Sequence, residues 1–221
     1  MAVKKHSLRV GLLGGSFDPI HRAHVQLALT ALRELDLLEV QLIPAADPWQ
    51  RPALAASPTQ RLHMLHLAVQ DFEGLRVNPV EIERGGASHT LTTVEALPQT
   101  IESRPVEYYW LLGSDQLNNF CTWHRWQDIV LHVGLVVAQR PDSPLQIPPA
   151  LAAHLEHLQR PLLMLPFRPM PISATRIRQA LMQREKPACL QTLRNALDER
   201  VLHYILAHDL YRAPPSPTPA L

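Results

Sequence analysis

His21 and His24 stand three positions apart at the end of the run Gly14-Gly15-Ser16-Phe17-Asp18-Pro19-Ile20-His21-Arg22-Ala23-His24. An apolar stretch over residues 8–13 precedes the run and a helical pattern of apolar residues follows it, so it reads as strand, glycine turn and helix start. Glycines at such a turn let the backbone approach a ligand closely and take up positive φ where the turn needs it. Pro19 limits the conformations of the turn just before the helix. The first turn of a helix has free N–H groups and a partial positive charge, which suits phosphate. Residues three apart share one helix face, so two imidazoles beside those amides make a clamp for a polyphosphate. Plainer readings compete with this one. Glycine turns between strand and helix are common, and a histidine near a helix start is often a cap or a solvated residue, but neither histidine is needed to build this turn. A zinc protease needs histidines four apart with a glutamate between them. Here Arg22 and Ala23 lie between them, and an arginine beside the site argues against a structural cation.

A second set of groups able to hold phosphate follows much later, in Pro171-Ile172-Ser173-Ala174-Thr175-Arg176-Ile177-Arg178. Ser173 and Thr175 put two hydroxyls at a capped helix start, and Arg178 adds a guanidinium. A plain N-cap with a solvated arginine is the competing reading. Two phosphate-competent helix starts in one sheet favour a divided task, one holding the near phosphates of a nucleotide and the other the far ones.

The elements that must position these groups alternate along the chain. Strands are expected at residues 8–13, 40–43, 75–77, 80–82, 107–112, 133–138 and 162–165. Helices are expected at 21–35, from the Ser57 cap to about Gln70, at 88–97, in short pieces at 116–120 and 123–129, at 150–158, from Ser173 to about Gln183, and at 198–208. That alternation predicts an α/β fold with a doubly wound parallel sheet. Ligands then bind at the carboxyl ends of the strands, near the switch in strand order. The turns at Gly14, Gly113 and Ser173 all follow strands and should open onto one crevice. One domain over residues 1–212 is expected, with a proline-rich disordered tail at 213–221.

Bulk properties narrow the partners. A formal net charge of +1 gives no reason to expect a nucleic acid, so phosphate binding must be local. No apolar run is long enough for a membrane span, and the basic N-terminus leads straight into a strand without a signal-peptide core. Cys121 and Cys189 are far apart and unpatterned, which fits a reducing cytoplasm and gives no zinc site. Nothing in the sequence specifies an oligomeric state.

The strings GGSFDPIHRAH, GSDQL and ISATRIR, in this order, resemble the nucleotidyltransferases with a paired-histidine motif. Among these they are most similar to the bacterial nicotinate-nucleotide adenylyltransferases. The resemblance covers roughly residues 8–212, including the final VLHYILAHDLYR. It implies a Rossmann-like fold and the reaction of ATP with nicotinate mononucleotide to give deamido-NAD and pyrophosphate, in NAD biosynthesis. Mg²⁺ would arrive with ATP and have no dedicated protein ligands. By match, His21 and His24 would contact the ATP phosphates and share the catalysis with Arg178. Gly14, Gly15, Ser16, Phe17 and Ile172 would line the ATP site. Ser173, Thr175 and Arg178 would hold the far phosphates, and Asp115 a ribose. Trp123 would stack on the pyridine ring, with Arg51, Thr90 and His124 near the mononucleotide.

The chain departs from the family pattern in three places. Ala23 replaces a glycine between the histidines, Pro48-Trp49-Gln50-Arg51 keeps the loop's basic residue but not its histidine, and His89 and His124 replace tyrosines. Three rivals remain at this level. They are a sibling transferase (an adenylyltransferase for nicotinamide mononucleotide or phosphopantetheine, or a cytidylyltransferase, which shares the paired histidines but ends differently), a class I aminoacyl-tRNA synthetase fragment lacking its lysine-rich signature, and a non-catalytic nucleotide sensor on the same fold.

Overall fold

Successive side chains of a strand point to opposite faces of its sheet, and here the two faces collect separate cores. Leu111 and Val136 join Leu13, Val40 and Leu42 on one face, while Trp110, Leu112, Leu135 and Val137 join Val10, Leu12 and Ile43 on the other. The structure, a computed structural model, describes residues 7–47, 54–138, 145–168 and 170–212.

Among these residues seven strands form one sheet: β1 (Leu8–Gly15), β2 (Glu39–Pro44), β3 (Leu75–Val77), β4 (Thr100–Ile101), β5 (Arg104–Gly113), β6 (Val133–Ala138) and β7 (Leu163–Leu165). The order is β3-β2-β1-β5-β6-β7, all parallel, and the two-residue β4 pairs antiparallel with the start of β5. From β1 the chain builds outward through β2 and β3, then returns to build β5, β6 and β7 on the other side. Strand order therefore reverses between β1 and β5, where a doubly wound sheet opens a crevice.

The helices are α1 (Arg22–Glu34), α2 (Pro58–Val69), α3 (Val80–Arg84), α4 (Thr90–Glu95), α5 (Ser114–Asn118), α6 (Trp126–His132), α7 (Pro149–His157), α8 (Ala174–Met182), α9 (Pro187–Ala196) and α10 (Glu199–Ala207). Helices α1, α2, α8, α9 and α10 cover the face that holds Leu13, and α4, α6 and α7 cover the other. The result is the expected α/β arrangement of a Rossmann-like fold. Among the described residues no helix is long and apolar enough to cross a membrane. The expected tail at 213–221 lies outside the described residues.

Several local expectations differ from what forms. Residues 80–82 belong to helix α3 and not to a strand. Asn78 accepts the Val80 N–H through its side chain at 3.1 Å and starts a turn, and three apolar-polar-apolar residues are too few to tell one period from the other. Trp123 lies in a loop between a 3-10 turn (Phe120–Thr122) and α6, because Arg125 takes a left-handed conformation that separates the two. Helix α9 was not anticipated, although Pro187 at its first position and Leu193 with Ala196 on its buried side follow helical rules. Strand β4 is too short to leave a pattern.

Candidate active site

Gly14 and Gly15 are the last residues of β1, and neither takes the positive φ expected at the turn. That conformation falls on Phe17, at φ 46°. The glycines are needed for space. A Cβ on Gly14 would lie 2.6 Å from the Trp110 ring, and one on Gly15 3.2 Å from the Phe17 ring. Beneath the turn runs Arg61, 0% exposed, whose Nη1 donates to the Ser16 carbonyl at 2.8 Å and Nη2 to that of Ala46 at 3.4 Å. Burial lowers the pKa of this guanidinium, while the nearby Asp18 carboxylate acts in the opposite direction.

His21 caps α1 in an extended conformation. Its imidazole stacks on that of His24 with ring centroids 3.7 Å apart. The His21 N–H donates to His24 Nδ1 at 3.3 Å. A neutral imidazole that accepts at Nδ1 carries its proton on Nε2, so His24 becomes a donor on the far side of the ring. Phe17 meets His24 edge-on at 5.0 Å. Arg22 donates from Nε to the Leu197 carbonyl at 2.9 Å and so ties α1 to the turn before α10.

The second helix start lies opposite. Ser173 caps α8 by accepting the Arg176 N–H at 3.3 Å; the hydroxyl keeps its own proton and a further lone pair for a ligand. Arg178, one turn on, donates from Nη1 to the Asp18 carbonyl at 2.8 Å. His21, His24, Ile172, Ser173, Thr175 and Arg178 line one crevice of about 490 Å³. The two helix starts that sequence reasoning singled out therefore face the same space.

A smaller compartment of about 220 Å³ shares Gly14, Gly15, Ser16, Asp115 and Gln116 with the first. Thr90, Trp110, Trp123 and His124 line it. The Trp123 ring sits 5.0 Å from Phe120 and edge-on to Trp110, and the His89 and His124 rings lie 5.0 Å apart. Arg51 lies outside the described residues. A larger, open hollow of about 770 Å³ over α2 and α10, lined by His63, His203 and Tyr204, shares no residue with either compartment.

Sequence reasoning did not single out Gln116, whose Oε1 accepts the Gly113 N–H at 3.0 Å and closes the turn after β5. Its signal was the capping-box spacing. Glu81, buried and accepting the Thr93 hydroxyl at 2.6 Å, also borders the smaller compartment. It was hidden by the strand reading of residues 80–82. Asp18 and Tyr211 stood inside the motif strings but were given no role, and Arg61 carried no local pattern.

Comparison with known proteins bears on this geometry. The cytidylyltransferase-like family matches residues 12–180, a span that runs from β1 into α8 and so contains both walls of the crevice. A Bordetella avium protein designated probable nicotinate-nucleotide adenylyltransferase is 53% identical over 204 residues, covering 92% of this chain and 98% of its own. A Pseudomonas aeruginosa protein of the same designation is 35% identical over 217 residues, covering 93% and 98%. A Plasmodium falciparum nicotinic acid mononucleotide adenylyltransferase complexed with NaAD shares the fold at a TM-score of 0.66 and 16% identity, covering 92% of this chain and 97% of that one. The paired-histidine turn, the Ser173 helix start and the sheet between them thus all lie within what the relatives share, and the chain belongs to the nicotinate-nucleotide adenylyltransferase family of nucleotidyltransferases.

Proposed function

We propose that the chain transfers the adenylyl group of ATP to the phosphate of nicotinate mononucleotide, releasing pyrophosphate and giving deamido-NAD, as a cytoplasmic step of NAD synthesis. One observation carries the reading: two compartments of unequal size share a floor at Gly14, Gly15, Ser16 and Asp115. ATP in the larger and the mononucleotide in the smaller bring the reacting phosphates together over that floor.

A mononucleotide oxygen forms a bond to the α-phosphorus of ATP. The bond from that phosphorus to the oxygen bridging to the β-phosphate breaks, and its electron pair leaves on pyrophosphate. The attacking phosphate has a second pKa of about 6 and is mostly dianionic at neutral pH, so no general base is required. The protein's task is to hold two anions in line and to offset charge on the leaving group. His21 and His24 serve the near phosphates, His24 through Nε2–H. Ser173, Thr175 and Arg178 serve the far ones. Asp115, on the shared floor, holds a ribose hydroxyl, while Gly14, Gly15, Ser16, Phe17 and Ile172 shape the ATP side. Trp123 stacks on the pyridine, with Thr90, His124 and Arg51 completing that end. Mg²⁺ is taken to enter with the substrate, bound to the triphosphate, where it would offset charge on the phosphates.

The test is incubation of the chain with ATP, Mg²⁺ and nicotinate mononucleotide, with chromatography for deamido-NAD and a coupled assay for pyrophosphate. Equal amounts of both products are expected. Calorimetric binding of ATP with no product from either pyridine mononucleotide would overturn the proposal in favour of a nucleotide sensor. Faster turnover of nicotinamide mononucleotide would reassign the acceptor.

A further inference from the structure

Asp18 sits inside the histidine turn, 3% exposed, and its bonds reach every side of the crevice. Its Oδ2 accepts the Ala55 N–H at 2.9 Å, and its Oδ1 accepts the Ala56 N–H at 3.1 Å and the Tyr211 hydroxyl at 2.7 Å. Its own carbonyl accepts Arg178 Nη1 at 2.8 Å. The partners come from the approach to α2, from α8, and from the turn after α10, at the far end of the described chain.

Tyr211 is held in place for this contact. It is 7% exposed and takes a left-handed backbone conformation, φ 58°, that a bulky residue seldom adopts. Arg184 braces the preceding turn by donating to the Leu210 carbonyl at 3.4 Å and pairing with Asp209. Burial first, then the adjacent Asp18 carboxylate, raises the phenol's pKa far above its usual range, so its oxygen keeps the proton it donates. Buried Arg61 supplies the cation near the carboxylate and holds Ser16.

Resting on the adenylyl-transfer reading, we propose that Tyr211 is a positioning residue of that reaction: by fixing Asp18 it sets both the turn that presents His21 and His24 and the guanidinium of Arg178. The geometry behind this is economical. One carboxylate and its own main-chain carbonyl anchor the two phosphate walls to each other, and Tyr211 supplies the side-chain hydroxyl donor to Asp18 at its centre. Small displacements of groups that contact a transferring phosphoryl are costly in rate, whereas ground-state binding spread over many contacts is not.

The experiment is a double-mutant cycle on the full chain, with Tyr211→Phe, His24→Ala and the pair together, reading kcat, KM for each substrate and the folded fraction by circular dichroism. Tyr211→Phe keeps the ring and removes one hydrogen bond. It is expected to lower kcat per folded protein by about tenfold with both KM values little changed. In the His24→Ala background the same change should cost clearly less, about threefold, because the share that acts through His24 is lost while the share through Arg178 remains. An equal loss in both backgrounds, an unchanged kcat, or a loss matching only the unfolded fraction would overturn the proposal. If Tyr211→Phe fails to fold, Asp18→Asn, which keeps the side chain's size, is put through the same cycle. The same coupling supports the proposal and equal losses overturn it. Absence of deamido-NAD from the unaltered chain would sink the adenylyl-transfer reading as well, while product from it with additive losses sinks only this one.

Discussion

At His24 the outcome depends on which ring nitrogen faces the crevice. The His21 N–H occupies Nδ1 at 3.3 Å, and the stacked His21 ring fixes the plane. His24 is therefore a preorganised donor, the kind of group whose loss typically costs about 10²–10³ in kcat. His24→Ala is expected to lower kcat by that order while moving the KM for ATP far less; a fall below about threefold in steady-state assays would remove His24 from the transition state. Trp123, placed by the proposal against the pyridine ring, is expected to make the opposite kind of contribution. Stacking on an aromatic base is worth roughly 1–3 kcal/mol in binding, so Trp123→Ala should raise the KM for nicotinate mononucleotide about fivefold to 150-fold, and an unchanged KM would take the indole out of the site. Gly14 tests the packing beneath both. A methyl group there would meet the buried Trp110 ring at 2.6 Å. Gly14→Ala is expected to cost about 1–3 kcal/mol by overpacking, read as a lowered melting temperature. The motif residues were legible because the histidine spacing, the Ser-x-Thr helix start and the glycine turn are local. The reason for the glycines was not, since Trp110 is brought over Gly14 only by the pairing of β1 with β5.

At the scale of elements, α10 illustrates what a cap contributes. Asp198 accepts the Arg200 N–H at 2.9 Å and Arg200 Nε at 3.0 Å through the same carboxylate. Burial by itself would raise the Asp198 pKa, but the hydrogen bonds and charge of Arg200 outweigh it and the net shift is downward. A depressed carboxylate pKa stabilises the folded state above the unfolded-state pKa of about 3.9 and stops doing so as pH falls through the lower folded-state value. Asp198→Ala should therefore destabilise the protein by about 0.5–2 kcal/mol at neutral pH. In denaturant titrations the gap between variant and parent should close as the pH is taken below about 4. A gap that stays constant into acid would show that the carboxylate's charge is not what stabilises the helix start. The long elements were legible because β1, β5 and β6 each carry an unbroken apolar stretch (residues 10–13, 108–112 and 133–138) and α1 is amphipathic. The short ones were not: α3 and β4 hold five and two residues, too few for the helical and the strand period, respectively, to repeat twice. The bond between Asp18 and Tyr211 spans 193 positions, and no sequence pattern marks a contact that only the packing of α10 against α2 brings about.

At the scale of the whole molecule, the reversal of strand order between β1 and β5 decides what kind of site the chain has. Each wall of the larger crevice comes from a different end of the sequence, and the two are tied by Arg178 to the Asp18 carbonyl. The charge balance at that junction is modest. The formal net charge is +1, and among the described residues the basic groups lining the larger crevice are two histidines and the guanidiniums of Arg176 and Arg178. Bound ATP would bring about four negative charges and the mononucleotide phosphate about two more. Two imidazoles, two guanidiniums and helix amides orient such anions but fall short of about six negative charges, so the divalent cation that accompanies ATP is expected to supply much of the compensation. Chelation by EDTA is accordingly expected to stop turnover completely and reversibly, with activity returning on addition of excess Mg²⁺. If the cation is held by the triphosphate, as proposed, the melting curve should not move. Turnover that persisted in EDTA would show that the protein's own charges suffice. A melting temperature that fell on chelation would mean that a cation belongs to the folded protein and not to its substrate.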